Sequence, residues 1–422
     1  MGRIKYYLNA AKEYGFINCV KRVVGTCIYC VVSPVYKFYL MNFTKIDDNK
    51  IVFCSKPSFS DNSKALYDYL KNLNQDDWYQ FVWMIGYKEE IPQIKENNTI
   101  FIRRHVMSHG GMTLAALKET ATAKYVFFTH GSPLGDFGKT RKEQMVINLW
   151  HGCGYKDIQK SSTSWISKNP CDYSLVPGNV FVKTKAGFWG CEEEKILPIG
   201  YPRYDSLYLG AAEAANYAEQ LRGNAEKLIV WMPTFRKTKG GKFPESKIKG
   251  YFELPLLDGE KQLDELNREC KTLNTVICVK RHPSQLVYEC EKNDYSNIKF
   301  INNEDLKAQN VDLYAFLKYT DALISDYSSI AIDYLLLHKP IAFSLDDYNE
   351  YKKTRGFVFE NPLDYMPGHH LYEFSHMKQF LQDVAQGKDL YAKERADIMD
   401  DVHNRCSNYC ERIWKTVKKL LK

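Results

Sequence analysis

The chain has 422 residues, 45% hydrophobic and 26% charged, which excludes a disordered or fibrous protein and is too long for one ordinary core, so two domains of roughly 150–200 residues are expected. The net charge of +7 is uneven: Arg3, Lys5, Lys12, Lys21, Arg22 and Lys37 face only Glu13 in residues 1–42 (+5), Arg412, Lys415, Lys418, Lys419 and Lys422 face only Glu411 in 411–422 (+4), and the body is left at −2. A near-neutral body with basic ends argues against nucleic-acid binding and suits an anionic membrane surface.

In chain order, residues 1–45 mix aromatics, aliphatics and Lys/Arg. The uncharged run from Val23 to Tyr36 has 14 residues and contains Pro34, shorter than the roughly 20 a spanning helix needs. No small-residue cleavage site follows. The segment reads as an amphipathic, membrane-associating helix, with a helix tucked against the fold as the alternative. Ile51-Val52-Phe53-Cys54 then opens a series of short apolar strands. Ser60-Asp61-Asn62-Ser63 offers caps for a helix over 64–73, and Phe81-Val82-Trp83-Met84-Ile85, Thr99-Ile100-Phe101-Ile102 and Tyr125-Val126-Phe127-Phe128 continue the strands, with a helix near 112–121. Val146-Ile147-Asn148-Leu149-Trp150, Tyr173-Ser174-Leu175-Val176 and Lys195-Ile196-Leu197 complete it. Alternating strands and helices imply a parallel sheet with crossover helices.

A second series follows an Ala-rich helix over 210–222: strand 227–232, a lysine-rich loop over 237–249 expected to be mobile, helix 259–273, strand 275–279, strand 323–325 and the last strand, 341–344. Residues 373–422 read as wholly helical. The expected organisation is a membrane-associating segment (1–45), an N-terminal Rossmann-like domain (46–208), a C-terminal Rossmann-like domain (209–390) facing it across a cleft, and a basic C-terminal helix (391–422). The twelve cysteines are scattered through apolar runs, as buried thiols in a reducing compartment would be, and Cys27-Ile28-Tyr29-Cys30 lacks the second pair a zinc site would need.

Ligands of open parallel sheets sit beyond the carboxyl ends of the strands, and four polar clusters lie at such ends. Trp150-His151-Gly152-Cys153-Gly154-Tyr155-Lys156 puts an imidazole on a glycine-softened turn, fit either to take a proton from a hydroxyl or to bond its own loop. Pro233-Thr234-Phe235-Arg236 adds a hydroxyl and a guanidinium, and Lys280-Arg281-His282-Pro283 adds two cations and a second histidine. Ser325-Asp326-Tyr327-Ser328-Ser329 joins a strand to a helix that continues through Ile330, Asp333, Tyr334 and Leu337. Its hydroxyls and unpaired first N–H groups make either a phosphate seat or a plain helix cap. Arg236 and Arg281 could fork onto phosphate oxygens. Gly152-Cys153-Gly154 lacks the third glycine of a dinucleotide fingerprint, Gly138-Lys139-Thr140 lacks the first glycine of a P-loop, and His105 and His109 lack a zincin's glutamate. No metal ligand set and no cofactor is expected.

These motifs occur in an order that resembles the CDP-glycerol:poly(glycerophosphate) glycerophosphotransferase family: Ser60-Asp61-Asn62-Ser63-Lys64-Ala65-Leu66-Tyr67, Leu149-Trp150-His151-Gly152 with Lys156, Gly200-Tyr201-Pro202-Arg203 with Asp205, Pro233-Thr234-Phe235-Arg236, Lys280 with His282-Pro283, and Asp326-Tyr327-Ser328-Ser329 with Asp333-Tyr334 and Lys339-Pro340. The resemblance covers about residues 50–370. It implies a GT-B-like fold, a peripheral location on the cytoplasmic face of the membrane, and transfer of an alditol phosphate from CDP-glycerol or CDP-ribitol, glycerol first, to a polyprenyl-diphosphate-linked saccharide, with release of CMP. By position it implies His151 as the base and His282 as the group meeting charge on the donor diphosphate. Thr234, Arg236, Arg281, Asp326, Ser328 and Ser329 then fall on the donor side, and Gly152, Lys156, Arg203 and Asp205 on the acceptor side. The chain departs from the common pattern at Cys153-Gly154-Tyr155 and at Pro367-Gly368-His369, the first of which bears on the acceptor. With about 50 residues before the first strand, a primase, a short-chain transferase or a capsule enzyme is expected over a long polymerase. A nucleotide-sugar glycosyltransferase and a silent membrane scaffold are the rival readings.

Overall fold

The computed structural model describes residues 16–74, 78–94, 98–105, 111–156, 169–234, 254–281 and 294–421. The chain forms two compact units, Met1–Asn148 with Ser167–Asp172, and Leu149–Ile166 with Tyr173–Leu420. The change of unit at Leu149 falls well before the boundary expected at 208. The reason is the bonding of the intervening segment: Tyr155 donates to the Tyr365 carbonyl, Arg203 pairs with Asp333, and Asp205 accepts from Tyr409 and Cys410, all later in the chain.

In the first unit, helix α1 (Phe16–Phe43) leads into β1 (Asp47–Cys54), α2 (Asp61–Leu73), β2 (Gln80–Ile85), β3 (Thr99–Arg103), α3 (Leu114–Thr122), β4 (Ala123–Phe128) and β5 (Met145–Asn148). These strands are parallel and ordered β3-β2-β1-β4-β5. Both faces of a parallel sheet are covered, so its strands are continuously apolar while neighbours alternate sides. Val52 and Cys54 share a core with Leu40, Met84, Leu117 and Val126. Phe53 turns the other way, stacking on Trp83 and Phe127 at 5.2 and 5.5 Å and meeting Tyr67 of α2 edge-on.

Helix α1 buries Ser33 and Leu40 and packs on α3. Arg141 satisfies its last carbonyls, donating to the Leu40 and Thr44 oxygens at 3.2 and 2.7 Å. Its other side leaves Val31, Val35, Phe38, Tyr39 and Phe43 at 51–72% exposure. No described helix is long and apolar enough to cross a membrane.

The second unit contains a parallel pair, β6 (Tyr173–Leu175) and β7 (Ile196–Leu197), with α4 (Val182–Trp189) between them in sequence. After α5 (Tyr204–Leu209) and α6 (Ala212–Arg222) come β8 (Lys227–Trp231), α7 (Glu260–Thr272), β9 (Thr275–Lys280), β10 (Ile298–Ile301), α8 (Asn303–Ala308), α9 (Leu313–Leu317), β11 (Ala322–Ser325), α10 (Ser329–Tyr334), β12 (Ile341–Ser344), α11 (Tyr348–Thr354) and β13 (His369–Leu371). The six strands β8–β13 are all parallel in the order β10-β9-β8-β11-β12-β13. The two edge strands, β10 and β13, escape a reading by apolar runs because Lys299, His369 and His370 interrupt them.

The helix expected over 210–222 is α6, and a separate α5 precedes it, parted from it by Gly210 at φ +67°. One helical expectation needs correction. Residues 373–422 form three helices, α12 (Phe374–Ala385), α13 (Ala392–Val402) and α14 (Tyr409–Leu420). Gly387 at φ +69° follows the first, and extended His403, whose ring bonds the Ile332 carbonyl at 2.8 Å, ends the second. Helix α14 buries Cys410, Ile413, Trp414 and Val417 along one face, so Trp414 is a core residue, while Lys415, Lys418 and Lys419 are exposed.

Candidate active site

The strand order of the second unit reverses between β8 and β11, the switch point at which open α/β sheets bind ligands. Asp326 ties the two strand ends together there. It is fully buried and accepts from the Thr234 backbone N–H at 2.8 Å and from the Thr234 hydroxyl. Ser325 Oγ donates to the Met232 carbonyl at 3.0 Å. Ser328 then stands at the N-cap of α10 with its backbone extended, and its hydroxyl makes no cap bond.

Onto this point folds the turn from Trp150 to Lys156. Trp150 is held at φ +55°, a conformation bulky residues rarely adopt, and Gly152 at φ +131°. Trp150 Nε1 donates to the Gly152 carbonyl at 2.7 Å, and the His151 ring lies 4.0 Å from the indole, centroid to centroid. A Cβ on Gly152 would sit 2.5 Å from Ser329 Oγ, and one on Gly154 would sit 2.8 Å from the Ser329 backbone N. Only glycine lets the turn approach so closely.

The other residues of the turn anchor it. Cys153 is buried with its sulfur 3.1 Å from the Tyr201 hydroxyl, burial pushes its thiol pKa up, and the thiol stays protonated. The Tyr155 hydroxyl donates to the Tyr365 carbonyl at 2.7 Å. Arg203 donates to the His151 carbonyl at 3.1 Å and pairs with Asp333 at 2.7 Å. Asp333 is itself fully buried and also accepts from the hydroxyls of Tyr314, at 2.6 Å, and Tyr204. The carbonyl side of His151 is thereby fixed by a buried ion pair, and its ring is left beside Trp150.

Turn and switch point enclose a cavity of about 460 Å³ lined by His151, Thr184, Ser328 and Ser329 together with the cations Lys156, Lys185, Lys280 and Arg281. Among the described residues no carboxylate lines it. Lys280 bonds Asn303 Oδ1 at 2.7 Å, and burial lowers its pKa to about 8. Lys185 is 4% exposed, and burial lowers its pKa to about 8 as well. Among the described residues no three His, Cys, Asp or Glu side chains gather as metal ligands would. Hydroxyls, an imidazole and a cluster of cations are the chemistry of a phosphate-bearing ligand.

Residues 36–419 match the family model described as CDP-Glycerol:Poly(glycerophosphate) glycerophosphotransferase. The chain belongs to this family. It is similar to the teichoic acid ribitol-phosphate polymerase TarK of Staphylococcus aureus, 28% identical over 369 residues, covering 82% of this chain and 63% of that one. It is also similar to the teichoic acid poly(glycerol phosphate) polymerase of Staphylococcus epidermidis, 26% identical over 352 residues, covering 78% and 45%. The chain thus spans about half to two thirds of the length of these relatives. Among solved structures, that of the wall teichoic acid polymerase TagF shares the fold, with a TM-score of 0.70 at 20% identity over 96% of this chain and 98% of that one.

Of the site residues expected from the sequence, His151, Gly152, Lys156, Thr234, Arg281, Ser328 and Ser329 line this cavity. Asp326 and Arg203 are buried behind it, in the bonds to Thr234 and Asp333. Asp205 lies outside the lining, where its carboxylate accepts from the first N–H groups of α14, Tyr409 at 2.6 Å and Cys410 at 2.9 Å. Arg236 and His282, like His109 and the loop 237–249, lie outside the described residues. Thr184, Lys185 and Asn303 also line the cavity and were not singled out by sequence. Lys185 stands inside Val182–Trp189 with no neighbouring motif, and only tertiary packing brings it to Trp150.

Proposed function

We propose that this chain transfers an alditol phosphate, glycerol phosphate in the first instance, from a CDP-alditol to a hydroxyl of a lipid-linked acceptor, releasing CMP, in the synthesis of teichoic acid or a related surface polymer. The carrying observation is the cavity at the second unit's switch point, lined by four cations, His151 and two serine hydroxyls without a described carboxylate, in a member of this family. Such a lining suits a diphosphate and opposes a neutral or cationic substrate.

In this reading the acceptor hydroxyl attacks the alditol-bearing phosphorus and His151 takes its proton. A new P–O bond forms as the P–O bond to the CMP phosphate breaks, and CMP leaves with that electron pair. Ser328, Ser329, Lys280 and Arg281 hold the donor phosphates, and His282 meets charge on the diphosphate. Most of the rate enhancement then comes from positioning and electrostatic stabilisation. Arg203 serves the acceptor side by fixing the His151 carbonyl, and Asp205 by anchoring the segment behind it. Two parallel α/β units fit a GT-B-like enzyme. The exposed apolar side of α1 and the basic residues 1–42 support a peripheral seat on the cytoplasmic face of the membrane, near a polyprenyl-diphosphate-linked saccharide.

The test is a screen of CDP-glycerol, CDP-ribitol and common nucleotide sugars for product. CMP release with a new phosphodiester is expected. Release of a nucleotide with a new glycosidic bond replaces this reading with a glycosyltransferase, and silence across all donors leaves a scaffold.

A further inference from the structure

Lys185 is the cation of the cavity that no motif accounts for. It projects from α4, is 4% exposed, and lines the cavity with His151. Its ammonium lies 3.9 Å from the centre of the Trp150 indole ring and 5.1 Å from that of Phe188. Among the described residues it has no carboxylate partner, and the one titratable neighbour acting on it is the Cys153 thiol, which burial keeps neutral.

A buried lysine is costly unless something meets its charge. An aromatic face returns part of that cost while leaving the ammonium's donors to a ligand. The other basic groups are held differently: Lys280 is bonded to Asn303, Arg281 follows β9 on the second sheet, and Lys156 is bridged through its backbone to Phe357. Lys185 instead shares the Trp150 ring with the His151 imidazole, whose centroid is 4.0 Å from the same indole. It therefore stands on the His151 side of the cavity, where the hydroxyl attacks, and not with the strand ends that would hold the nucleotide's own phosphate.

We propose that Lys185 is a substrate-binding residue that contacts the phosphoryl group being transferred, and that Trp150 carries its charge until that group arrives. This rests on the transfer reading above. It separates two phosphates of one donor: Lys185 meets the phosphate that goes to the acceptor, and not the phosphate that leaves with CMP.

The test is Lys185→Met, which keeps length and apolar contact and removes the charge. CDP-glycerol, CDP-ribitol and CMP are titrated by calorimetry into the full chain and the variant, beside thermal unfolding of each. A lost charge-assisted hydrogen bond predicts a fall in CDP-alditol affinity of roughly tenfold or more, CMP affinity within about twofold, and a melting temperature at or above that of the parent, because a buried charge has been removed. A structural lysine would instead lower the melting temperature. Unchanged CDP-alditol affinity, an equal loss of CMP affinity, or destabilisation overturns the assignment alone. Failure of the unsubstituted chain to bind either CDP-alditol overturns the transfer reading, and the assignment with it.

Discussion

Asp333 is the residue whose loss should be felt most widely, because three donors from two distant parts of the chain converge on it. Arg203 Nη2 lies at 2.7 Å, the Tyr314 hydroxyl at 2.6 Å, and the Tyr204 hydroxyl completes the set around a side chain with no exposure. Asp333→Ala leaves the guanidinium buried without its counter-charge. Removing one partner of a buried pair costs about 3–5 kcal/mol. The lower end is expected here, since Arg203 keeps the His151 carbonyl at 3.1 Å and the Tyr314 ring at 4.4 Å. Asp333→Asn retains one acceptor but turns an amide N–H₂ toward donors, a cost of about 1–3 kcal/mol. The order of stability in urea unfolding should be parent, then Asn, then Ala, with CMP release falling in the same order as the His151 turn loosens. An Ala variant within about 1 kcal/mol of the parent, or one more stable than the Asn variant, would refute the view that this ion pair braces the turn.

Gly154→Ala places a Cβ 2.8 Å from the Ser329 backbone N, so overpacking of about 1–3 kcal/mol and weakened donor binding are expected, and a variant with parental melting and affinity would show that the turn has slack. Replacing Ser328 and Ser329 together by Ala should lower CDP-alditol affinity by more than roughly tenfold with the fold intact; unchanged calorimetry returns both serines to the role of helix start. Lys185 and Lys280, each held near a pKa of about 8 by burial, gain a phosphate neighbour on binding, which raises their pKa. Their help is therefore complete below about pH 8 and is lost as the pH climbs from there through the raised value, so donor affinity should drop above about pH 8, and a flat profile contradicts the contact. On α1, Val35, Phe38 and Phe43 are 69, 63 and 68% exposed; changing all three to Ser should leave unfolding nearly unaltered but reduce co-sedimentation with anionic vesicles, and equal sedimentation argues against a membrane face.

Much of the architecture was legible because a buried parallel strand announces itself. Runs such as Ile51-Val52-Phe53-Cys54 and Val276-Ile277-Cys278-Val279 are apolar without a break, and the polar residues just beyond them mark the ends of the sheets. Edge strands β10 and β13 carry Lys299 and two histidines, and so hid their nature. The basic C-terminal segment misled for a different reason. Lysines at 415, 418 and 419 suggest a surface helix, but Cys410, Ile413, Trp414 and Val417 recur on its opposite face and are buried. In the cavity, Ser328, Ser329 and Arg281 could be read from their position after strands. The bonds of Asp205 and Arg203 could not, since their partners at Tyr409 and Asp333 lie more than a hundred residues away. Lys185 left no local trace at all, because what distinguishes it is the ring it rests on.

The most direct test of the account is to separate binding from turnover at His151. His151→Ala is titrated with CDP-glycerol and CDP-ribitol by calorimetry, and CMP release is followed with acceptor present. A base acts only when the acceptor hydroxyl attacks, so donor affinity should stay within about twofold while turnover falls by about 10²–10⁴. Turnover at the parental rate contradicts the account, and makes Trp150-His151-Gly152 a structural turn.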